Sequence, residues 1–319
     1  MLRVCSRIFR PELRCVLATF TLAALFALPI AAQPVQSCDR ACLTGFVDSY
    51  FKALLAHDAH GLPQASQARI TENGAEKSLA DTLWPGAAET AFRFDIVNPR
   101  RGDTGTEAVV RNADGSKTML MVRLKVHDGA VTEIETIKAN KGDAGQLWNP
   151  DGLNEVPHAF QLSIRDAERD SYFDLIAAAN SYWRAFQTNG TPAYHRARLM
   201  PDSARFENGV QTTGLVRNGV FNDTARGFDE GRFLGRNIWD RRYAVVDEER
   251  GVVLSIVRFG LKAGSKSQSV ATANDRLVAE FFAIKNGFIQ EIQAVLFNLP
   301  DAKPTGWPPD YGPGRAATQ

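Results

Sequence analysis

Apolar residues recur at the spacing of one helical face in two separate parts of the chain. Steps of three and four residues are typical of an amphipathic helix. Each long helix is expected to precede a shorter, less regular one, in "HGLPQAS" and in "PAYHRARL". The apolar positions of the two long helices are Leu43, Phe46, Val47, Tyr50, Phe51 and Leu54, and then Leu175, Ile176, Ala179, Tyr182, Trp183 and Phe186.

The hydrophobic period changes to two after each helical part. Such alternation predicts strands, and the tripeptides "HDG" and "KNG" predict tight hairpin turns. Helices followed by a run of strands indicate an α+β fold, in which an antiparallel sheet covers the helices. The predicted strands are "TEAVVRN", "TMLMVRLKV" and "AVTEIETI", and then "GVVLSIVRFGL", "RLVAEFFAI" and "FIQEIQAVL".

The order of elements repeats because the sequence itself repeats. "FVDSYFKALLAHD" resembles "AANSYWRAFQTNG", and "ARITENG" resembles "ARFENG". Further along, "FDIVNPRRG" corresponds to "YAVVDEERG", and "LKVHDGAVTEIETI" corresponds to "FAIKNGFIQEIQAV". Four matches in the same order indicate an internal duplication. The second copy is longer, through an insertion between its Glu-Asn-Gly and its first strand pair.

Composition and the repeat divide the chain into five parts. The linker is rich in turn-forming and charged residues, and the tail holds too much proline and glycine for regular structure. Trp307 is expected to hold the start of the tail against a domain surface. The parts are a leader (1–32), the first domain (38–140), the linker (141–166), the second domain (167–300) and the tail (301–319).

The leader has the organisation of a secretory signal peptide. Four arginines precede the apolar run "CVLATFTLAALFALPIAA", which ends in small residues. Cleavage is expected near Ala32, and an uncleaved membrane anchor is the alternative. A cleaved protein is predicted to be periplasmic or secreted, without membrane attachment. Cys38 and Cys42 then remain in an oxidising compartment, which favours one local disulfide over two free thiols.

Bulk composition narrows the function classes only a little. The 319 residues are 44% hydrophobic and 23% charged, as in ordinary globular proteins, and the formal net charge is +1. This balance gives no electrostatic reason to expect a nucleic acid partner. The sequence contains no phosphate loop, dinucleotide fingerprint or metal-ligand spacing, so neither a cofactor nor a metal is expected.

The segments "DSYFKALLAHDAHGL…ARITENG" and "NSYWRAFQTNGTPAY…ARFENG", each followed by strands, resemble nuclear transport factor 2-like proteins in tandem. That superfamily includes ketosteroid isomerases, scytalone dehydratase and SnoaL-like cyclases. The "CDRACL" start and the two "ENG" repeats also resemble a family of secreted proteins. The resemblance implies two cone-shaped domains, each with an apolar pocket. It also implies face-to-face sheets that imitate a dimer within one chain, with further homo-oligomers left open.

The resemblance places a tyrosine and an acidic segment at each pocket. Tyr50 and Tyr182 fall where ketosteroid isomerases carry a helix tyrosine that hydrogen-bonds the substrate oxygen. A core tyrosine bonded to a backbone carbonyl is the alternative. Trp84 and Trp183 are candidate substrate contacts. His195, near the pocket mouth, is a candidate general base, with a surface role as the alternative.

The two Glu-Asn-Gly segments fall where the isomerases carry their proton-abstracting aspartate. Glu72 and Glu207 are candidate proton-transfer groups, and Asn73 and Asn208 are candidate substrate contacts. One step of strand register decides which neighbour faces the pocket. Ile70 shares the strand face of Glu72, which favours an inward glutamate in the first copy. Arg205 shares the strand face of Glu207, so the two copies predict different registers. The alternative is that each glutamate only caps its Asn-Gly turn.

The segment Gly227–Tyr243 concentrates arginines and acidic residues before the strands of the second copy. Arg232 and Arg236 belong to it. Arginines at a pocket mouth are suited to an anionic substrate group. A solvated, mixed-charge helix is the interpretation that the composition favours.

These features lead to two main functional hypotheses. The first is a cofactor-independent lyase, dehydratase or isomerase that acts by acid–base chemistry on a small, mostly apolar molecule. The second is a secreted or periplasmic small-molecule binding protein without catalysis. A third possibility is that one copy has lost its pocket and serves as a pairing surface. The sequence alone leaves enzyme status open.

Overall fold

The protein has an α+β fold with two six-stranded curved sheets and few helices. A computed structural model describes residues 38–262, 275–299 and 305–308. The predicted signal peptide and most of the predicted tail lie outside these residues. The described part of the chain contains no helix that is long and apolar enough to cross a membrane.

The first sheet follows one long helix, α1 (Arg40–Ala56). The Asp39 carboxylate caps the start of α1 by accepting a 2.9 Å hydrogen bond from the Cys42 N–H. The predicted disulfide is confirmed, because Cys38 and Cys42 are bonded across the same turn. The strands are β1 (Gln64–Glu72), β2 (Ala75–Glu76), β3 (Ala87–Asn98), β4 (Asp103–Asn112), β5 (Lys117–His127) and β6 (Ala130–Ala139).

The second sheet follows the short helix α2 (His158–Gln161) and the long helix α3 (Tyr172–Thr188). A two-stranded hairpin, β9 with β10, forms within the insertion that lengthens the second copy. The elements are β7 (Leu199–Glu207), β8 (Val210–Thr213), β9 (Leu215–Arg217), β10 (Val220–Asn222), α4 (Arg226–Asp229), β11 (Arg236–Asp247), β12 (Val252–Leu261), β13 (Arg276–Lys285) and β14 (Phe288–Asn298).

Both sheets have the same strand order. It is β2-β1-β6-β5-β4-β3 in the first and β8-β7-β14-β13-β12-β11 in the second. The strand after the helix lies beside the last strand and runs parallel to it, as β1 does with β6 and β7 with β14. The sheets are therefore mixed rather than purely antiparallel as predicted. The strands that the hydrophobic period predicted all form.

Three predicted helices are wrong. "HGLPQAS" holds only the 3-10 turn Ala59–Gly61, and β1 begins directly after Pro63, which cannot donate a backbone hydrogen bond. "PAYHRARL" forms no helix. In the mixed-charge segment α4 ends after one turn, because Gly231 and Gly235 adopt positive φ angles of 70° and 73°. That chain continues as β11 instead.

Each sheet has an inner face, which packs on its own long helix, and an outer face, which packs on the other sheet. The outer faces form one apolar cluster that includes Ile96 and Met121 of the first sheet and Leu254 and Phe281 of the second. Gly105 permits a close approach of the second sheet, since a Cβ there would lie only 3.2 Å from Leu254 Cδ2. The inner faces carry separate cores around α1 and α3.

A buried ion cluster links the two copies at the edge of this contact. Arg242 on β11 donates to Glu135 on β6 at 2.9 Å, and Arg123 on β5 donates to the same carboxylate at 3.0 Å. Burial opposes the charge of Glu135, but the two guanidinium groups hold its pKa below the ordinary value. Both partners of the carboxylate are cationic, so the buried charge is compensated.

Trp307 closes over the same region, as the sequence analysis expected. Its indole N–H donates to Thr71 Oγ1 at 3.0 Å. The guanidinium carbons of Arg69 and Arg123 lie 4.2 Å and 4.7 Å from the centroid of the indole ring. These cation–π contacts stabilise the indole against the first copy. The Thr305 N–H donates to Asp240 of the second copy at 3.1 Å.

Two carboxyl groups, those of Glu107 and Glu291, lie within the contact between the sheets. Glu107 on β4 is 2% exposed, and its Oε1 has no hydrogen-bond partner among the described residues. Burial raises the pKa of Glu107 to about 8, and the nearby charge of Glu291 acts in the same direction. The folded protein therefore retains this proton at pH values where the unfolded chain has lost it.

Removing this carboxyl should flatten the pH dependence of stability. A raised pKa means that the contribution of Glu107 is fully present below pH 4.5, is lost as the pH rises toward about 8, and then levels off. We expect Glu107→Gln to gain on the order of 4 kcal/mol relative to wild type between pH 5 and pH 9, since one pKa unit corresponds to about 1.4 kcal/mol. Urea unfolding across this pH range measures the difference. The exposed control Glu89→Gln should keep the wild-type slope, and an unchanged slope in Glu107→Gln would contradict the assignment.

Candidate functional site

A row of three residues crosses the inner face of the second sheet. Glu280 on β13 pairs with Ala294 on β14, which pairs in turn with Glu207 on β7. Two strand spacings separate the Cα atoms of the two glutamates, or about 10 Å. Both glutamates line a pocket on this face, and they mark its floor.

The pocket above this floor has a volume of about 210 Å³. Aromatic residues supply most of its apolar wall, and charged residues stand at both of its ends. The aromatic residues are Tyr182, Trp183, Phe186, Phe233 and Phe259. The charged residues are Arg205, Glu207, Arg232, Arg236, Arg276 and Glu280.

Arg205 holds one end of the pocket together. Its Nη1 donates to the Tyr182 hydroxyl at 3.0 Å, its Nε donates to Thr212 Oγ1 at 3.1 Å, and its Nη2 lies 3.3 Å from Glu207 Oε2. Burial disfavours the guanidinium charge, yet Glu207, Tyr182 and Glu280 together raise the pKa of Arg205 above its ordinary value. Arg205 is therefore a fixed cation among oxygen groups.

Tyr182 lies under this cation. Burial is the main reason that the pKa of its phenol is raised, and the charge of Glu280 acts in the same direction. The phenol is therefore neutral at physiological pH. Since Arg205 donates to the phenol oxygen, the O–H of Tyr182 is left to donate elsewhere.

Glu280 is the most perturbed acid of the site. Burial raises its pKa to about 8, with Glu207 adding to the shift and Arg205 opposing it. Its Oε2 has no hydrogen-bond partner within the described parts of the chain. At pH 7 the side chain is mostly a neutral carboxylic acid, which can donate a hydrogen bond into the pocket.

The other end of the pocket is cationic. Arg276 is 6% exposed and donates from Nε to Asn298 Oδ1 at 3.0 Å, and Arg236 is 3% exposed. Burial lowers the pKa of both arginines, and the charge of Arg276 lowers the pKa of Arg236 further. For Arg276 the charge of Glu207 opposes the downward shift and the charge of Arg205 adds to it. Arg232 lies at the rim, where Glu230 pairs with it.

The equivalent row of the first sheet has different chemistry. Val122 pairs with Thr136, and Thr136 pairs with Glu72. Glu72 is 1% exposed, but its carboxylate accepts from the Leu83 N–H at 2.8 Å and lies 2.8 Å from Lys77 Nζ and 3.2 Å from Lys138 Nζ. The charge of the Glu72 carboxylate is therefore compensated by groups of the protein itself.

Tyr50 and Trp84 belong to the core of the first domain. Both are buried, and their rings pack edge to face with centroids 5.6 Å apart. Burial raises the pKa of the Tyr50 phenol. The strand register also shows which residues replace the pocket charges in this copy. Ile70 lies in place of Arg205, Ala87 in place of Arg236 and Thr118 in place of Arg276.

The predicted disagreement between the two registers is wrong. Glu72 and Glu207 both face the inner side, with Ile70 or Arg205 beside them on that side. Arg205 is buried despite its charge because Tyr182 and Glu207 bind it. A charged residue in the inward register of a strand was therefore a sign of the site rather than evidence against it.

Asn73 and Asn208 are turn residues and do not contact the pocket. Their φ angles are 50° and 47°, as two-residue hairpin turns require. Asn73 exchanges hydrogen bonds of 2.8 Å and 3.1 Å with the main chain of Lys138. Asn208 does the same with the main chain of Leu296. Both side-chain amides are therefore hydrogen-bonded to the backbone of the neighbouring strand.

The remaining predicted residues divide between the pocket and the surface. Trp183 lines the pocket wall, and its indole N–H donates to Ser255 Oγ at 2.9 Å. His195 is partly exposed and does not line the pocket. Its backbone N–H donates to Thr188 Oγ1. The structure therefore gives no support to His195 as a general base.

Comparison with known protein families finds a match within the second copy. Residues 168–296 match a family model described as a domain of unknown function, DUF8021. The matched range includes Arg205, Glu207, Glu280 and Ala294, so the pocket floor lies within it. A search of curated proteins finds no match. In the part of the chain that the structure describes, no group of three or more His, Cys, Asp or Glu residues is arranged to hold a metal ion.

Removing the fixed cation should change the titration of the neutral acid. The positive charge of Arg205 lowers the pKa of Glu280, so Arg205→Met should raise that pKa further above about 8. Carboxyl carbon NMR of glutamate-labelled protein measures the titration, and Glu280→Gln assigns the signal. Arg111→Met, on the surface of the first domain, is the matched control. An unchanged or lowered pKa in Arg205→Met would refute the coupling.

Proposed function

We propose that the second domain is a cofactor-independent isomerase, dehydratase or lyase, which acts on a small molecule in the pocket between Arg205 and Arg276. The observation that carries the proposal is the pair of glutamates across Ala294. One is a neutral acid with a pKa of about 8, and the other is paired with a guanidinium group. Two acids held in different protonation states can divide proton donation and proton acceptance between them.

Each group has a definite role in this mechanism. The Glu207 carboxylate accepts a proton from the substrate, and the Tyr182 O–H and the neutral Glu280 donate hydrogen bonds to the substrate oxygen that gains negative charge. Arg205 fixes the phenol and the carboxylate by contacting both. Ketosteroid isomerases, which this chain resembles, also place a neutral carboxylic acid beside a tyrosine.

The first domain has a different role in this proposal. Lys77, Lys138 and the Leu83 N–H bind Glu72, and Tyr50 packs against Trp84. The Glu72 carboxylate is 1% exposed and enclosed by these donors, so it is not open to a substrate. We assign the first domain to packing against the second, and we include a periplasmic or secreted location in the proposal because of the predicted signal peptide.

Binding without catalysis is the second candidate function. The observation that favours it is the contact between Arg205 Nη2 and Glu207 Oε2 at 3.3 Å. The ion pair occupies an oxygen of the carboxylate that should accept the proton. A binding protein would use the same aromatic wall and the same hydrogen-bond donors, with no turnover.

A metabolite-library screen with purified protein, read by mass spectrometry, distinguishes the two functions. We expect conversion of a small molecule by wild type, and a loss on the order of 10²–10⁴-fold in kcat/KM for Glu207→Gln and Tyr182→Phe. The matched first-domain variants Glu72→Gln and Tyr50→Phe should keep the wild-type rate per folded molecule. Full turnover in the second-domain variants would remove the proposed roles, and binding without conversion would favour the second function.

The pH profile should identify the neutral acid independently. Glu280 has to carry its proton to donate a hydrogen bond, so we expect kcat to fall above about pH 8. Glu280→Gln keeps a hydrogen-bond donor that does not titrate, and it should retain part of the activity while losing this alkaline limb. An unaltered alkaline limb in Glu280→Gln would assign the titration to another group.

A further inference from the structure

A cluster of polar residues on the flank of each long helix differs between the two copies. α1 and α3 each contain 17 residues, and Asp48 of α1 occupies the position that Asn180 occupies in α3. Asp95 of β3 and Tyr243 of β11 also correspond, because each lies at the same step of the register with the following strand. Two carboxylates of the first copy are therefore replaced by neutral groups in the second.

The cations of this cluster are present in both copies. Arg93 and Arg241 each lie two residues before the strand position just compared. Lys52 and Arg184 occupy equivalent positions one turn further along the two helices, and both are exposed. The first copy thus carries two cations with two carboxylates, and the second carries two cations and neither carboxylate.

In the first copy the carboxylates hold the partly buried cation. Arg93 donates from Nε to Asp95 Oδ2 at 2.8 Å and from Nη2 to Asp48 Oδ1 at 2.5 Å. Burial opposes the charge of Arg93, but Asp95 and Asp48 raise its pKa above the ordinary value. The protein itself therefore compensates the charge of this guanidinium group.

In the second copy the equivalent cation contacts neutral groups. Arg241 donates from Nη1 to Asn180 Oδ1 and from Nη2 to Gln187 Oε1. The Tyr243 hydroxyl donates to the same Asn180 oxygen at 2.7 Å. Burial lowers the pKa of Arg241, with Tyr243 opposing the shift and the charge of Arg184 adding to it. In the part of the chain that the structure describes, no carboxylate forms an ion pair with Arg241.

The surroundings of Arg241 are cationic. Asn180, Arg184 and Gln187 follow one another on α3 at steps of four and three residues, so they share one face of the helix. Lys262 donates from Nζ to the Gln187 carbonyl at 2.8 Å, which adds a third positive charge beside this face. An amide in place of a carboxylate keeps the oxygen that accepts from Arg241 and removes only the negative charge. The hydrogen bond is retained, and the charge compensation is lost.

We propose that this cluster is a binding site for a small oxyanion with two negative charges, a phosphate or sulfate group, and that the site is independent of the proposed function. The oxyanion lies against Arg241 and Arg184, beside Asn180. It supplies the two charges that Asp48 and Asp95 supply in the first copy. Guanidinium groups suit such a ligand because their fixed N–H groups match its oxygen atoms.

A sulfate titration followed by amide NMR tests the site, with chloride added to hold the ionic strength constant. We expect saturable shifts of the Asn180 and Gln187 side-chain amides, with a dissociation constant on the order of 1 mM. Asn180→Asp keeps the acceptor oxygen and places a negative charge beside Arg241, so it should weaken sulfate binding at least about tenfold. Arg241→Gln should weaken it as much. The exposed substitutions Asn154→Asp and Arg111→Gln are the controls and should bind like wild type.

The reverse exchange in the first copy is the second test. Asp48→Asn combined with Asp95→Asn removes both carboxylates around Arg93 and keeps their acceptor oxygens. We expect this double variant to bind a second sulfate, which the Arg93 and Lys52 amide signals report. Circular dichroism checks the folding. A folded double variant that binds no second sulfate would overturn the inference that the missing carboxylates create the site.

The remaining outcomes also decide the question. Absence of saturable shifts in wild type, or undiminished affinity in Asn180→Asp and Arg241→Gln, would overturn the site. Shifts centred on the Trp183 indole would place the anion in the pocket and overturn it as well. Comparison of inorganic phosphate with glycerol 3-phosphate identifies the source. Tighter binding of the ester indicates a phosphate group on a larger molecule, and equal or weaker binding of the ester indicates the free ion.

Discussion

The contact between the outer faces of the two sheets determines how the rest of the molecule is used. Ile96, Leu254 and Phe281 lie in that contact, and Gly105 allows the sheets to approach. Because side chains alternate between the faces of a strand, half of the residues in the central strands are committed to this interior. Helix packing and the pocket chemistry must therefore share the inner faces. Glu280 and Phe281 are neighbours in sequence, yet one belongs to the pocket and the other to the contact between the copies.

The inner faces of the two sheets have the same strand order but different chemistry. In the first domain the inward glutamate is neutralised by two lysines, and the positions equivalent to Arg205, Arg236, Arg276 and Glu280 carry no charge. In the second domain buried charges surround a space that the protein leaves unfilled. Burying so many ionisable groups is costly even when they are partly paired. The apolar core of the first domain and the apolar interface between the copies offset such a cost, because stable parts of a cooperative unit can support strain in another part.

Much of the fold was predictable because its signals are local. The apolar period marks α1, α3 and the long strands, and the hairpin turns contain the residues that positive φ angles require. The site was harder to predict from the sequence than the fold. Tyr182 and Glu207 were predicted, but Glu280 is an isolated acid in an apolar strand whose partners lie on other strands. Arg205 shares the strand face of Glu207, and its charge argues against an inward register for that face when only the sequence is considered. Its buried position depends on Tyr182 and Glu207, and pairwise compensation of this kind leaves no local pattern in the sequence.

The two ends of the described chain are each anchored on the opposite copy. Arg40, the first residue of α1, contacts Asp247 of the second copy at 2.6 Å and 3.0 Å. Trp307, far beyond the last strand, is bound to Thr71 of the first copy. Non-covalent contacts therefore hold both ends of the described chain against the opposite copy. A force applied at Arg40 or at Trp307 is therefore transmitted directly to the other copy, so the contact between the copies bears part of it.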